Sequence, residues 1–166
     1  MKFLVHILEP VLLSIVIMSL SEIKTNNSSI TINAKKKLKP VKIPTGPWPS
    51  FASDNMPILM AVLTTVDGKS EIKETIFSNR YMAAPELVRM GASINIKGNT
   101  AIIIGRKTLS AAECISSDLR TTFSIILGAI VAKGKNVVSR VFHGTRGYYQ
   151  LPNKLKKLGI NIKATS

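Results

Sequence analysis

Ile94-Asn95-Ile96-Lys97 returns 66 residues later as Ile160-Asn161-Ile162-Lys163, and the same interval separates Gly68 from Gly134 and Arg80 from Arg146. Self-similarity at that period marks a supersecondary unit used more than once. The frame extends backwards, because Ser53-Asp54 before one apolar run matches Ser117-Asp118 before another. Each Ser-Asp pair is suited to N-capping, and each apolar run (Met56 to Val66; Leu119 to Ala132) closes at a glycine suited to the C′ position. These stretches are therefore predicted as helices. Short β-branched runs follow, Ile72 to Phe77 and Val137 to Phe142, and are predicted as strands, each leading to a loop with one arginine. Second helices are predicted at Pro85 to Met90 and Leu151 to Leu158, ended by Gly91 and Gly159 and followed by the Ile-Asn-Ile-Lys strands.

Ala101 to Ile104 reads as a further strand, and Val41 to Ile43 and Glu113 to Ile115 as preceding ones. One unit is then strand, helix, strand, helix, strand, strand, an α/β (α+β) arrangement. Residues 34–105 form unit one and 106–166 unit two. Residues 1–33 hold an apolar segment and a partial unit: Leu8 to Met18, then Glu22-Ile23-Lys24 and Ile30-Thr31-Ile32. That makes about two and a third units of one incomplete domain.

With 166 residues, 45% of them hydrophobic, the chain can bury enough surface for one domain. Its formal charge is +14, and after Asp118 there are nine Lys and Arg and no acid. An anionic partner suits that half; a basic bias with solvated lysines, as at Lys154, Lys156 and Lys157, explains the charges equally well. One cysteine, Cys114, excludes an internal disulfide, and with His6 and His143 it offers no metal pattern and implies no cofactor. Cys114 lies in an apolar run and reads as a buried hydrophobe rather than a nucleophile. Lys2 and the apolar stretch Phe3 to Leu20 are compatible with a signal peptide or anchor, but Glu9-Pro10 interrupts the run and the repeat accommodates it as a helix. The latter reading, with a cytoplasmic protein and no membrane contact, is preferred.

No phosphate loop, paired-carboxylate spacing or Ser/His/Asp order stands out. Polar residues at equivalent unit positions do. Asp54 and Asp118 open helices, where capping explains either alone. Arg120 in the first turn opposes the helix dipole, which fits either an anionic ligand there or a simple pair with Asp118. Arg146, between Thr145 and Gly147, can grip phosphate or carboxylate with its guanidinium fork.

The segments Pro47-Trp48-Pro49-Ser50-Phe51-Ala52-Ser53-Asp54, Glu74-Thr75-Ile76-Phe77-Ser78-Asn79-Arg80-Tyr81-Met82, Glu86-Leu87-Val88-Arg89-Met90-Gly91-Ala92, Ser117-Asp118-Leu119-Arg120 and Arg146-Gly147-Tyr148 resemble the UDP-N-acetylglucosamine 1-carboxyvinyltransferases. These are the enolpyruvyl transferases of peptidoglycan synthesis. The resemblance runs from about Ile30 to Lys163 and covers only the C-terminal part of that family. It implies an inside-out barrel of repeated βαβαββ units, with the active site between two such domains. It further implies that Asp54 contacts the sugar 3-hydroxyl and acts as base, and that Ile76 meets the nucleotide sugar through its backbone. Arg120 and Arg146 would hold phosphoenolpyruvate, Asp118 would lie beside the reacting centre as a catalytic acid residue, and Arg80 is a further substrate-binding arginine. The proton donor of the family comes from its N-terminal domain, which no segment here matches. Ala52 replaces the proline of a Phe-Pro-Thr-Asp pattern, and Gly144-Thr145 and Tyr148-Tyr149 replace loop residues that are partly acidic in the family.

Three functions follow. The chain is half of an enzyme completed by a separately encoded N-terminal piece, or a remnant inactive alone, or a basic nucleic-acid binder. The last is disfavoured by an aromatic content of 5% and a Trp48 set between prolines rather than on a stacking platform. Shikimate carboxyvinyltransferase is the nearest rival enzyme. The Arg-Met-Gly-Ala and Asp-Leu-Arg segments fit the UDP-sugar branch better, with UDP-N-acetylglucosamine and phosphoenolpyruvate as substrates.

Overall fold

A computed structural model of the protein describes residues 22–26, 30–33 and 37–164. The apolar segment Leu8 to Met18 lies outside the described residues. Strands β1 (Glu22–Thr25) and β2 (Ile30–Asn33) form an antiparallel pair, with Ile23 opposite Ile32. This pair has the form of the hairpin β5 (Ser93–Lys97) and β6 (Thr100–Ile104), where Ile94 faces Ile103. The pair falls on the two stretches, Glu22-Ile23-Lys24 and Ile30-Thr31-Ile32, assigned above to a partial unit.

Unit one builds a four-stranded sheet in the order β3-β4-β6-β5, with β3 at Lys42–Pro44 and β4 at Lys69–Lys73. Strand β3 runs parallel to β4, as the intervening helix α1 (Met56–Leu63) requires of a crossover, and β4 runs antiparallel to β6. Unit two repeats the parallel pair as β8 (Glu113–Ile115) and β10 (Val137–Ser139), joined by α3 (Leu119–Val131). Between the units, β7 (Leu109–Ser110) pairs with β9 (Ala132–Lys133). Helices α2 (Ala83–Arg89) and α5 (Leu151–Lys157) are the second helices of the two units, and a short α4 (Phe142–Thr145) precedes α5.

The core lies between the sheet and the helices. Met56, Met60, Ile72, Leu87, Met90, Ile103, Leu109 and Ile125 are fully buried there. Truncating any of the large ones to alanine would cost about 2–5 kcal/mol through lost transfer energy and the cavity left behind. Helices α1 and α3 pack directly, and the Ser124 hydroxyl of α3 donates to the Pro57 carbonyl at 2.7 Å. That bond ties the first turn of α1 to the middle of α3.

Four boundaries differ from the sequence reading. The strand expected at Ile72 to Phe77 begins at Lys69 and stops at Lys73, because the next peptides turn inward to bond the Glu74 side chain. The strand expected at Val137 to Phe142 stops at Ser139, where Arg140 takes φ +56° and the chain enters α4. Gly68 and Gly134 are not C′ residues: α1 ends at Leu63 and α3 runs through Val131 into β9, so these glycines turn the chain towards β4 and β10. Gly91 and Gly159, both at φ +84°, do follow the caps of α2 and α5. Finally, Ile160 to Lys163 is no strand. Its counterpart β5 is held by β6 alone, and the second unit has no counterpart of β6 among the described residues.

Candidate functional site

Asp54 does not cap a helix. It lies in a 3-10 turn, Ser53–Asn55, whose flanking residues make no side-chain capping bond, with Pro57 in the first turn of α1. Its carboxylate points instead to two guanidiniums. Arg80 Nη1 bonds Oδ1, and Arg120 Nη2 donates to Oδ2 at 2.5 Å. The Arg80 guanidinium also lies 4.1 Å from the centroid of the Phe77 ring, a cation-π contact that steadies it. Burial pushes the Asp54 carboxyl up, but the bonds from Arg120 and Arg80 outweigh it and hold the group below its ordinary value. Arg120 therefore pairs with Asp54 of the other unit, not with Asp118 through its side chain.

Asp118 does cap a helix. Its Oδ1 accepts from the backbone N–H of Arg120 at 2.8 Å and of Thr121 at 3.0 Å, and its Oδ2 from the Thr121 hydroxyl at 2.6 Å and the Ser117 hydroxyl at 3.1 Å. Burial raises this carboxyl too; the Thr121 hydroxyl, the two amides and Ser117 more than offset that and lower it. Of the two repeat-related aspartates, one serves as an N-cap and the other as an ion-pair centre.

Glu74 was absent from the residues singled out in the sequence, yet its side chain organises the region. Only 2% exposed, it accepts at Oε1 from the Thr45 hydroxyl (2.9 Å), the Ile76 amide (2.7 Å) and the Phe77 amide (3.1 Å), and at Oε2 from the Ser53 hydroxyl (2.6 Å). Thr45 in turn accepts from the Thr75 amide at 2.9 Å. The detectable signal was a lone acid inside an apolar, β-branched run. It was masked by reading that run as one continuous strand.

An open pocket of ≈ 400 Å³ lies against this cluster, lined among others by Phe77, Arg80, Met82, Asp118, Arg120 and Thr121. That volume suits a small ligand. Asp54 joins it through its two arginine partners. Phe77 and Met82 are half exposed and give it an apolar rim that sequence reasoning missed. Ile76 lies outside the lining residues; its N–H is taken by Glu74, while its carbonyl accepts no hydrogen bond among the described residues.

Arg146 is exposed and does not line the pocket. Its loop is nonetheless pinned to the first turns of α3. A Cβ on Gly144 would fall 2.6 Å from Thr122 Cγ2, and one on Gly147 would fall 2.7 Å from Leu119 Cδ1, so a side chain at either position would have to push these α3 side chains aside. Arg146 is thus carried on the segment that abuts the start of the helix bearing Arg120. Cys114 is buried, with its thiol pushed up to about 11 chiefly by burial and by the nearby Glu86 charge, and takes no part in the pocket. Among the described residues no group of three or more His, Cys, Asp or Glu could hold a metal ion, and no helix is long and apolar enough to cross a membrane.

The sequence matches the EPSP synthase (3-phosphoshikimate 1-carboxyvinyltransferase) family over residues 2–155. It is 45% identical over 143 residues to a UDP-N-acetylglucosamine 1-carboxyvinyltransferase of Pelagibacter ubique, covering 86% of this chain and 34% of that protein. A protein of the same description from Novosphingobium aromaticivorans is 43% identical, with 85% and 33% covered. The chain spans about a third of the length of these relatives. Among solved structures, the enolpyruvyl transferase NikO from Streptomyces tendae superposes with a TM-score of 0.80 at 23% identity, over 91% of this chain and 35% of that one. EPSP synthase from Acinetobacter baumannii gives 0.66 at 17% identity, over 93% and 36%. These structural likenesses establish the shared fold, as the repeated βαβαββ reading anticipated.

Proposed function

The chain belongs to the EPSP synthase (3-phosphoshikimate 1-carboxyvinyltransferase) family, and from that membership we propose that it supplies the Asp54-Arg80-Arg120 portion of an enolpyruvyl transferase site. The acceptor is the 3-hydroxyl of UDP-N-acetylglucosamine and the donor is phosphoenolpyruvate, in cytoplasmic peptidoglycan synthesis. The branch is chosen on the identities of 45% and 43% to relatives described as UDP-N-acetylglucosamine 1-carboxyvinyltransferases.

One observation carries the reading: a carboxylate kept ionised between two guanidiniums beside an open pocket. Arginine forks bind phosphate and carboxylate in bidentate fashion, and phosphoenolpyruvate offers both. In this reading the donor competes with Asp54 for Arg120, and Arg146 closes on the same anion from its adjoining loop. Losing a guanidinium raises the Asp54 pKa, which makes it a better base for the sugar hydroxyl at the moment the donor is bound. The hydroxyl oxygen attacks C2 of the enolpyruvyl group while its proton passes to Asp54 and C3 is protonated; C3 then gives up a proton as the C2–O bond to phosphate breaks, restoring the double bond and releasing phosphate. Asp118 keeps Arg120 in place through the helix start rather than exchanging protons. The acid that protonates the donor is supplied by a segment outside the matched residues.

Phosphate release from phosphoenolpyruvate and UDP-N-acetylglucosamine tests the proposal. The chain is assayed alone and with a separately produced piece corresponding to the remainder of a relative. No turnover alone, turnover with the piece, and its loss in Asp54→Asn are expected; turnover indifferent to Asp54→Asn would sink the assignment.

A further inference from the structure

We infer that Glu74 is the positioning residue of this site: its buried carboxylate ties the turn bearing Asp54 to the loop bearing Arg80, holding the two in register. Asp54 is fixed by neighbours on three stretches of chain. Two of them, the Ser53–Asn55 turn and the loop after β4, are both bonded to the one Glu74 side chain. The third, the start of α3, is held by Asp118.

Glu74 has no cation partner among the described residues; its charge is met by two hydroxyls and two amides. Burial raises its pKa, and the Ser53, Ile76, Phe77 and Thr45 bonds bring it below the ordinary value. Such an acid, 2% exposed and neutralised only by dipoles, is costly unless every donor stays in place. It also orients the Ile76 carbonyl, which shares a peptide plane with the Phe77 N–H that Glu74 accepts and so points away from the Glu74 carboxylate. The role in substrate binding rests on the proposed function; the coupling between Glu74 and Asp54 does not.

The test follows the Asp54 carboxyl by carbon NMR through an acid titration in the full chain. Deleting a nearby negative charge would by itself lower the Asp54 midpoint, whereas loss of positioning frees it from Arg80 and raises it. Glu74→Ala is expected to move the midpoint up towards 3.8, the ordinary value, and to shift the Ile76 and Phe77 amide signals. In Glu74→Gln the amide oxygen can face Thr45, Ile76 and Phe77 while its NH2 donates to the Ser53 hydroxyl, so the geometry is expected to be kept and the midpoint, with one negative charge fewer nearby, to fall slightly rather than rise. A folded Glu74→Ala protein whose Asp54 midpoint stays or falls would overturn the inference. Should that variant fail to fold, Ser53→Ala removes the one bond from Glu74 to the Asp54 turn, and an unmoved midpoint there would overturn it equally. Absence of substrate binding in all variants, with the midpoint responding as expected, would instead count against the proposed function alone.

Discussion

Asp54 Oδ2 accepts a hydrogen bond of 2.5 Å from Arg120 Nη2, a residue two positions after Asp118, the counterpart of Asp54 in the second unit. The two units therefore meet at their equivalent ends, with the carboxylate from one and the guanidinium from the other. Because the pair is partly exposed, it adds little to stability. An exposed ion pair contributes at most about 1 kcal/mol to stability.

The two aspartates should separate on that ground. Asp118→Ala removes an N-cap and is expected to cost about 1–2 kcal/mol. Asp54→Ala is expected to cost less than about 1 kcal/mol while abolishing turnover in the reconstituted assay. Urea unfolding of both variants decides it, and equal costs would contradict the division of labour.

Acid should destabilise the protein through its depressed carboxyls, three of them in or beside the site. Asp54, Glu74 and Asp118 all have folded values below their ordinary ones of 3.8, 4.5 and 3.8. A depressed folded pKa adds stability above the unfolded value and loses it as pH falls through the folded one. Stability should thus be level near neutrality and drop as pH falls below about 4.5, measured as the urea midpoint against pH. Glu74→Gln should flatten part of that slope.

Phosphoenolpyruvate should raise the Asp54 titration midpoint if it draws Arg120 away from the carboxylate. Competition of this kind shifts the acid upward because the opposite charge is withdrawn. Carbon NMR of the Asp54 carboxyl with and without the donor reports it. An unchanged midpoint at saturating donor would rule out the exchange.

Cys114 should resist alkylation. Its thiol is 1% exposed and pushed up to about 11, so thiolate is scarce at neutral pH and access requires opening of the core. Iodoacetamide labelling is expected to follow global unfolding in urea. Fast labelling of the native protein would mean that β8 opens locally.

Gly144→Val should unsettle the Arg146 loop. The new side chain meets Thr122 Cγ2 on α3, and overpacking of this kind costs about 1–3 kcal/mol. A lowered urea midpoint together with a weaker response to phosphoenolpyruvate is expected. A change in stability alone would separate Arg146 from donor binding.

The sequence by itself determined the repeat, the longer helices and most of the strands. Apolar periodicity, Gly91 and Gly159 after helix ends, and the doubled Ile-Asn-Ile-Lys motif are local signals, and local signals survive in one dimension. Even so, Ile160 to Lys163 carries the strand motif without forming a strand, since a strand needs a neighbour to bond. Only the tertiary structure decided that Asp118 caps a helix while Asp54 does not, although both follow a serine at a helix start. What separates them is Arg80 and Arg120, which converge on Asp54 once Ser124 and Pro57 have locked α3 against α1. Glu74 was hidden for the same reason. Its four donors come from three separate stretches of chain, and a buried charge is intelligible only when those partners are assembled around it.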